Sequence, residues 1–142
     1  MKYATVLARV LFSLIFIMSG LSHFSAGTVQ YAESQGVPLA AWVVPFSGLM
    51  ALVGGLSILA GFQARIGAVL IALFIVPVSI SMHAFWNVTD PMMKQLQMIM
   101  FMKNMSILGG ALLIMANGAG AWSIDAWRNT SAKVARPSAL AV

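Results

Sequence analysis

Apolar runs separated by short polar stretches dominate this chain. Four of them, residues 6–21, 41–61, 66–86 and 96–116, are almost free of charge. A helix that crosses a bilayer needs about 20 predominantly apolar residues. The pattern therefore predicts four transmembrane helices and an all-α, integral membrane four-helix bundle. The stretch GFQAR (61–65) joins the second and third runs, a link short enough to make them antiparallel neighbours. The first run also resembles the apolar part of a secretory signal, with Lys2 and Arg9 ahead of it and FSA (24–26) as a cleavage site. Its length favours a retained span.

The breaks in the pattern carry local information. TVQYAESQGVP (28–38) reads as a short interfacial helix, ended by Gly36 in a left-handed cap and stopped by Pro38. Pro77 falls inside the third run, where it removes one amide and frees the carbonyl of Leu73. A kink is expected there, turned toward protein because lipid cannot satisfy a carbonyl. Gly48, Ala51 and Gly55 share a face of the second helix, and Gly109 and Gly110 lie in the fourth. Small residues at such positions let helices approach closely.

Composition strengthens the membrane reading. Of 142 residues, 61% are hydrophobic and 8% charged, against about 25% charged in soluble domains. No cysteine is present, which excludes disulfides, thiol nucleophiles, CxxC redox pairs and cysteine-held iron–sulfur clusters. The net charge of +5 first suggests nucleic acid. Its distribution gives a better reason. Lys2, Arg9, Arg65, Arg128, Lys133 and Arg136 fall at the N-terminus, the 61–65 link and the C-terminal stretch, whereas the opposite loops hold only Lys94. By the positive-inside rule both termini are expected in the cytoplasm. Residues 1–126 then form the membrane domain and 127–142 a basic cytoplasmic tail that can touch anionic lipid. Nucleic acid is not an expected partner.

Candidate chemistry rests on a few polar residues. Alternating helix directions place His23 and His83 near one membrane edge, with Lys103 about 10 Å below it. If the third helix persists, Ser79, His83, Trp86 and Asp90 follow one of its faces; Lys103, Ser106 and Gly110 follow one face of the fourth. A lysine within the bilayer costs about 2.5–3.5 kcal/mol, so it should face the bundle or a wet cavity with a partner. Asp90, Glu33, the carbonyl freed by Pro77 or an anionic ligand would serve. The expectation is a polar pocket in the outer half of the bilayer, made by His83, Trp86, Lys103 and Asn104 with Ser79 and His23. Simpler roles compete: Lys103 can snorkel along its own stem, His83 can bond a backbone carbonyl, and Trp42 and Trp86 can be belt anchors.

Cofactor readings are weaker still. His23 and His83 on different helices would suit a b-type haem, but both lie close to the interface, which disfavours it. Met98, Met102 and Met105 share a helical face, and thioethers bind copper(I); methionine is more often packing material. No metal site is expected. Asp125 is expected to pair with Arg9 or Arg65 and pin the segment after the fourth helix. The sequons NVT (87–89) and NTS (129–131) matter only in a glycosylating host.

The segments ARVLFSLIFIMSGLSHF (8–24), QGVP (35–38), GGLSILAGFQARIGA (54–68), HAFW (83–86), FMKNMSILGGALL (101–113) and GAGAWSID (118–125), in this order, resemble the DoxX family of small four-span membrane proteins. The resemblance covers about residues 6–125 and implies a four-helix bundle in a bacterial inner membrane. Many relatives carry a glutamate just before the paired glycines of the second span; here that position is Ala51. The matching positions are Arg9, Ser19, Gly20, His83, Lys103, Asn104 and Asp125. The family also implies a quinone-linked redox association with a partner subunit. Competing with it is a non-catalytic adaptor, chaperone or anchor for a client membrane protein. Membrane lipids are expected neighbours under both, and a homo-oligomer is compatible with both. A lipid or solute carrier is a third reading, disfavoured because four spans make a poor conduit.

Overall fold

A computed structural model describes residues 2–135; Met1 and 136–142, including Arg136 of the expected tail, lie outside the described residues. The chain order is α1 (Lys2–Ser22), α2 (Ala26–Ser34), α3 (Ala40–Ala60), α4 (Ala64–Met82), a 3-10 turn (Phe85–Asn87), α5 (Pro91–Asn117) and α6 (Ile124–Ala135). Four helices are long and apolar enough to cross a membrane, as the hydrophobic pattern predicts. α1 packs on α3, α3 on α4 and α4 on α5, while α2 packs on the first part of α3.

Helix contact depends on small residues, because lipid offers no hydrophobic drive for helices to associate. A Cβ on Gly20 would come within 2.8 Å of the Gly48 carbonyl, and one on Gly48 would collide with the His23 side chain. Gly55 meets Phe16 and Ile17, and Ala51 between the two glycines is fully buried. The face predicted from spacing is thus the α1–α3 contact. In α5 only Gly110 packs, against the Phe12 ring; nothing lies within 4 Å of a Cβ on Gly109. The core proper joins Phe16, Ala51, Ile58, Ala68, Ile71, Phe74, Ile75 and Ala111.

Two boundaries differ from the sequence reading. α5 starts at Pro91, before the apolar run, because Asp90 accepts the Met93 amide at 2.8 Å and Pro91 opens the first turn. α4 stops at Met82, so the single face expected to run from Ser79 through His83 and Trp86 to Asp90 does not form. Asp90 precedes a proline, which favours its extended backbone, and it caps the next helix instead. The expected interfacial helix is present as α2, begun by Ser25 capping the Thr28 amide and followed by Gly36 at φ +80°. The tail expected from residue 127 starts within α6.

Candidate functional site

Two ends of the bundle collect the polar groups. One holds the start of α1, the α3–α4 link, the end of α5 and α6. α3 ends in a paired cap, with Phe62 N donating to Ser57 O and Gly61 N to Ile58 O, and Gly61 at φ +65°. That glycine is required twice over, since a Cβ there would also strike the Arg9 guanidinium. Arg9 is buried and donates to the carbonyls of Ala119 (3.3 Å) and Trp122 (2.6 Å). Arg65 donates to the Ala116 carbonyl in the last turn of α5, at 3.2 Å. Cations belong at a helix C-terminus, where carbonyls lack intrahelical partners.

Asp125 plays a different part from the one its sequence suggests. Its carboxylate accepts the amides of Gln63 (2.8 Å) and Ala64 (3.1 Å), and no bond joins it to Arg9 or Arg65 among the described residues. Gln63 sits in the left-handed region at φ +51° and its own side chain caps nothing. An acid sixty-odd positions away in sequence therefore caps α4, where the helix dipole favours negative charge. The Asp125 amide also donates to Gly61 O at 2.9 Å. Asp125 ties this segment to the start of α4 through backbone amides; the expected pairing with Arg9 persists only as a Coulombic attraction without a direct bond.

The opposite end carries the histidines. His23 directly follows α1, with Nδ1 2.6 Å from the Ser19 carbonyl. A carbonyl only accepts, so Nδ1 carries the proton and Nε2 is left as the ring's second polar atom. The ring stands edge-on to Phe74, centroids 5.6 Å apart. Beside it opens a cleft of about 250 Å³ walled by α2, α3 and α4. Val44, Met50, Leu73, Phe74 and Pro77 make its apolar walls; Thr28, Tyr31, Ser47 and Ser81 supply its polar atoms. Pro77 faces this cleft together with Leu73, whose carbonyl has lost its helical donor.

The residues expected to form one pocket do not meet in one place. His83 Nδ1 lies 2.7 Å from Gln97 Oε1, outside the cleft that His23 lines. Trp86 is half exposed and clusters edge-on with Phe85 and Phe101. Asn104 is buried and donates to Ser79 Oγ at 3.0 Å; Ser79 in turn donates to the Ile75 carbonyl. Lys103 is exposed on the outer face of α5, with only the Met100 thioether within bonding distance among the described residues. Adjacent residues on a helix point about 100° apart, so Lys103 and Asn104 cannot both face inward. Met98 and Met102 also face outward. No group of three or more His, Cys, Asp or Glu side chains placed to hold a metal occurs among the described residues.

Sequence reasoning missed the cleft because its polar members come from four helices. It also missed Arg9's target carbonyls, which belong to an apolar stretch with no side-chain signal. Tyr31 beside Gly36 and Pro38 was the one cue that α2 brings a phenol to the site.

Comparison with known proteins agrees with the architecture. A family model described as DoxX matches residues 4–84. The chain is 37% identical over 122 residues to the inner membrane protein YqjF of Escherichia coli K12, covering 84% of this chain and 88% of the relative. It is 34% identical over 122 residues to the inner membrane protein YphA of the same organism, covering 84% and 86%. No solved structure matches. With the family model spanning more than half its length, the chain belongs to the DoxX family and is a multi-pass protein of the inner membrane.

Proposed function

We propose that this DoxX protein binds the headgroup of a lipid-soluble ligand of the quinone class in the His23 cleft, as the membrane subunit of a redox partner. The observation that carries the reading is the cleft itself: apolar walls at the α2–α3–α4 junction, with a histidine whose tautomer is held by a backbone carbonyl. Small-molecule sites combine apolar walls with a few placed polar groups. A quinone ring is flat and apolar with a carbonyl at each end. His23 Nε2 would accept from a quinol hydroxyl when neutral and donate to a quinone carbonyl when protonated. Tyr31 offers a second hydroxyl in the same lining. The redox chemistry belongs to the quinone and the partner; this chain contributes binding, orientation and a protonatable group.

The test is mass spectrometry of small molecules retained after purification in mild detergent. The expected result is a quinone at near-stoichiometric level in the parent and its loss in His23→Phe, which keeps an aromatic ring against Phe74. Phospholipid as the sole retained molecule in both proteins would overturn the proposal.

A second reading, an adaptor for a client membrane protein, has its own support in Lys103. An ammonium on the lipid-facing side of a spanning helix is costly unless it meets an acceptor or reaches the interface. A client helix bearing a carboxylate would supply one. Under this reading Lys103→Met abolishes client co-purification while leaving the fold intact. Recovery of the same membrane proteins with parent and variant would remove it.

A further inference from the structure

A broad cleft lies at the end away from the histidines, and the proposed function leaves it unused. It is open to the surroundings and offers about 1030 Å³ between the start of α4, the end of α5 and α6. Arg65, Asn117, Trp127, Arg128 and Asn129 line it, with Asp125 on one side. Asp125 bonds the Gln63 and Ala64 amides rather than an arginine, and its single negative charge offsets one of the two guanidinium groups in the lining, which leaves the cleft net positive. Arg65 donates through one Nη to the Ala116 carbonyl, and a guanidinium carries five N–H donors in all. Arg128 stands over the Phe62 ring, its guanidinium carbon 5.4 Å from the centroid, which fixes it at the cavity rim.

The surroundings indicate the depth of this cavity in the membrane. Trp127 is 71% exposed, and Tyr3, Phe62 and Trp122 nearby are also exposed. Exposed indole and phenol rings at the end of spanning helices mark the headgroup level of a bilayer. α6 follows the last span after the short 118–123 connection and begins at this belt. A basic cavity between helices at headgroup depth has the chemistry to take a phosphate.

We infer that Arg65 and Arg128 form a binding site for the phosphodiester of an anionic phospholipid, with Trp127 placed against its glycerol and acyl region. The site is independent of the His23 cleft and of whatever that cleft binds. Neighbouring cations at one cavity favour a headgroup with net negative charge, such as phosphatidylglycerol, over zwitterionic phosphatidylcholine.

Native mass spectrometry of the detergent-solubilised protein, titrated with each lipid, tests this directly. Phosphatidylglycerol should bind more tightly than phosphatidylcholine. Arg128→Gln and Arg65→Gln should each weaken phosphatidylglycerol binding about five-fold, at roughly the strength of one surface cation. Lys94→Gln, an exposed cation at the other end of the bundle, should leave it unchanged. Arg128 is exposed, so its variant keeps the fold if Arg65→Gln does not. Equal binding of both lipids, an unchanged affinity in Arg128→Gln, or an equal loss in Lys94→Gln would each overturn the site. A third arm uses inorganic phosphate at millimolar concentration. Failure to displace phosphatidylglycerol supports a lipid ligand; displacement assigns the site to free phosphate and overturns the lipid.

Discussion

The two ends of the bundle are tied in different ways. At the arginine end, beside local bonds, several polar bonds join residues far apart in sequence: Arg9 to Ala119 and Trp122, Asp125 to Gln63 and Ala64, Arg65 to Ala116. At the histidine end many are local: Ser22 and His23 to Ser19, Ser25 to Ser22, Met93 to Asp90. Long-range bonds lock helices to one another. Local bonds satisfy a helix end and leave neighbouring helices free to part. The cleft beside His23 opens where cross-links are sparse, which is what admission of a ligand needs.

Substitutions at the two ends should separate these roles. The largest effect is expected for Arg9→Met, which strips charge-assisted bonds from one buried and one half-buried carbonyl. A loss of about 3 kcal/mol should appear as a lowered midpoint for thermal unfolding in detergent. A midpoint close to the parent's would mean that Arg9 does not tie α1 to the 118–122 turn. Asp125→Ala should follow with about 1–2 kcal/mol, the range for removing a helix cap. Asp125→Asn keeps an oxygen acceptor without the charge and should recover part of that. If both variants lose equally, the charge rather than the geometry does the capping.

Smaller effects belong to the other end and the middle. Ser79→Ala leaves the Asn104 amide without its acceptor and should cost about 1 kcal/mol, read in the same unfolding assay. His23→Phe should change stability by less than the noise of surface substitutions, about 0.5 kcal/mol, while removing ligand retention. A large loss of stability there would make His23 a structural residue and erase the contrast between the ends.

Much of the fold was legible because spanning helices are declared by length and apolarity alone. Positions of close approach were legible too, since Gly48, Ala51 and Gly55 recur at helical spacing. Gly109 was misread because spacing cannot say whether a glycine faces a neighbour or open space. Helix ends were less legible: Asp90 and Pro91 form a start signal that the longer apolar run obscured. The site was the least legible part. Lys103 and Asn104 are adjacent, and only the helix rotation decides which of them turns inward. Asp125 looked like a partner for arginine because charge attracts attention, whereas its partners are uncharged amides of a distant helix start. The cleft depends on where α2 lies against α3, and hydrophobic periodicity carries no trace of that.

The most direct test of the account is photolabelling with a quinone bearing a photoreactive group on its ring, followed by peptide mapping. The account predicts labelled residues among those lining the cleft, Tyr31, Met50 and Met82 included, with labelling suppressed by excess unmodified quinone and lost in Ser47→Trp. Labelling confined to the outer face of α5, or unaffected by Ser47→Trp, would contradict it.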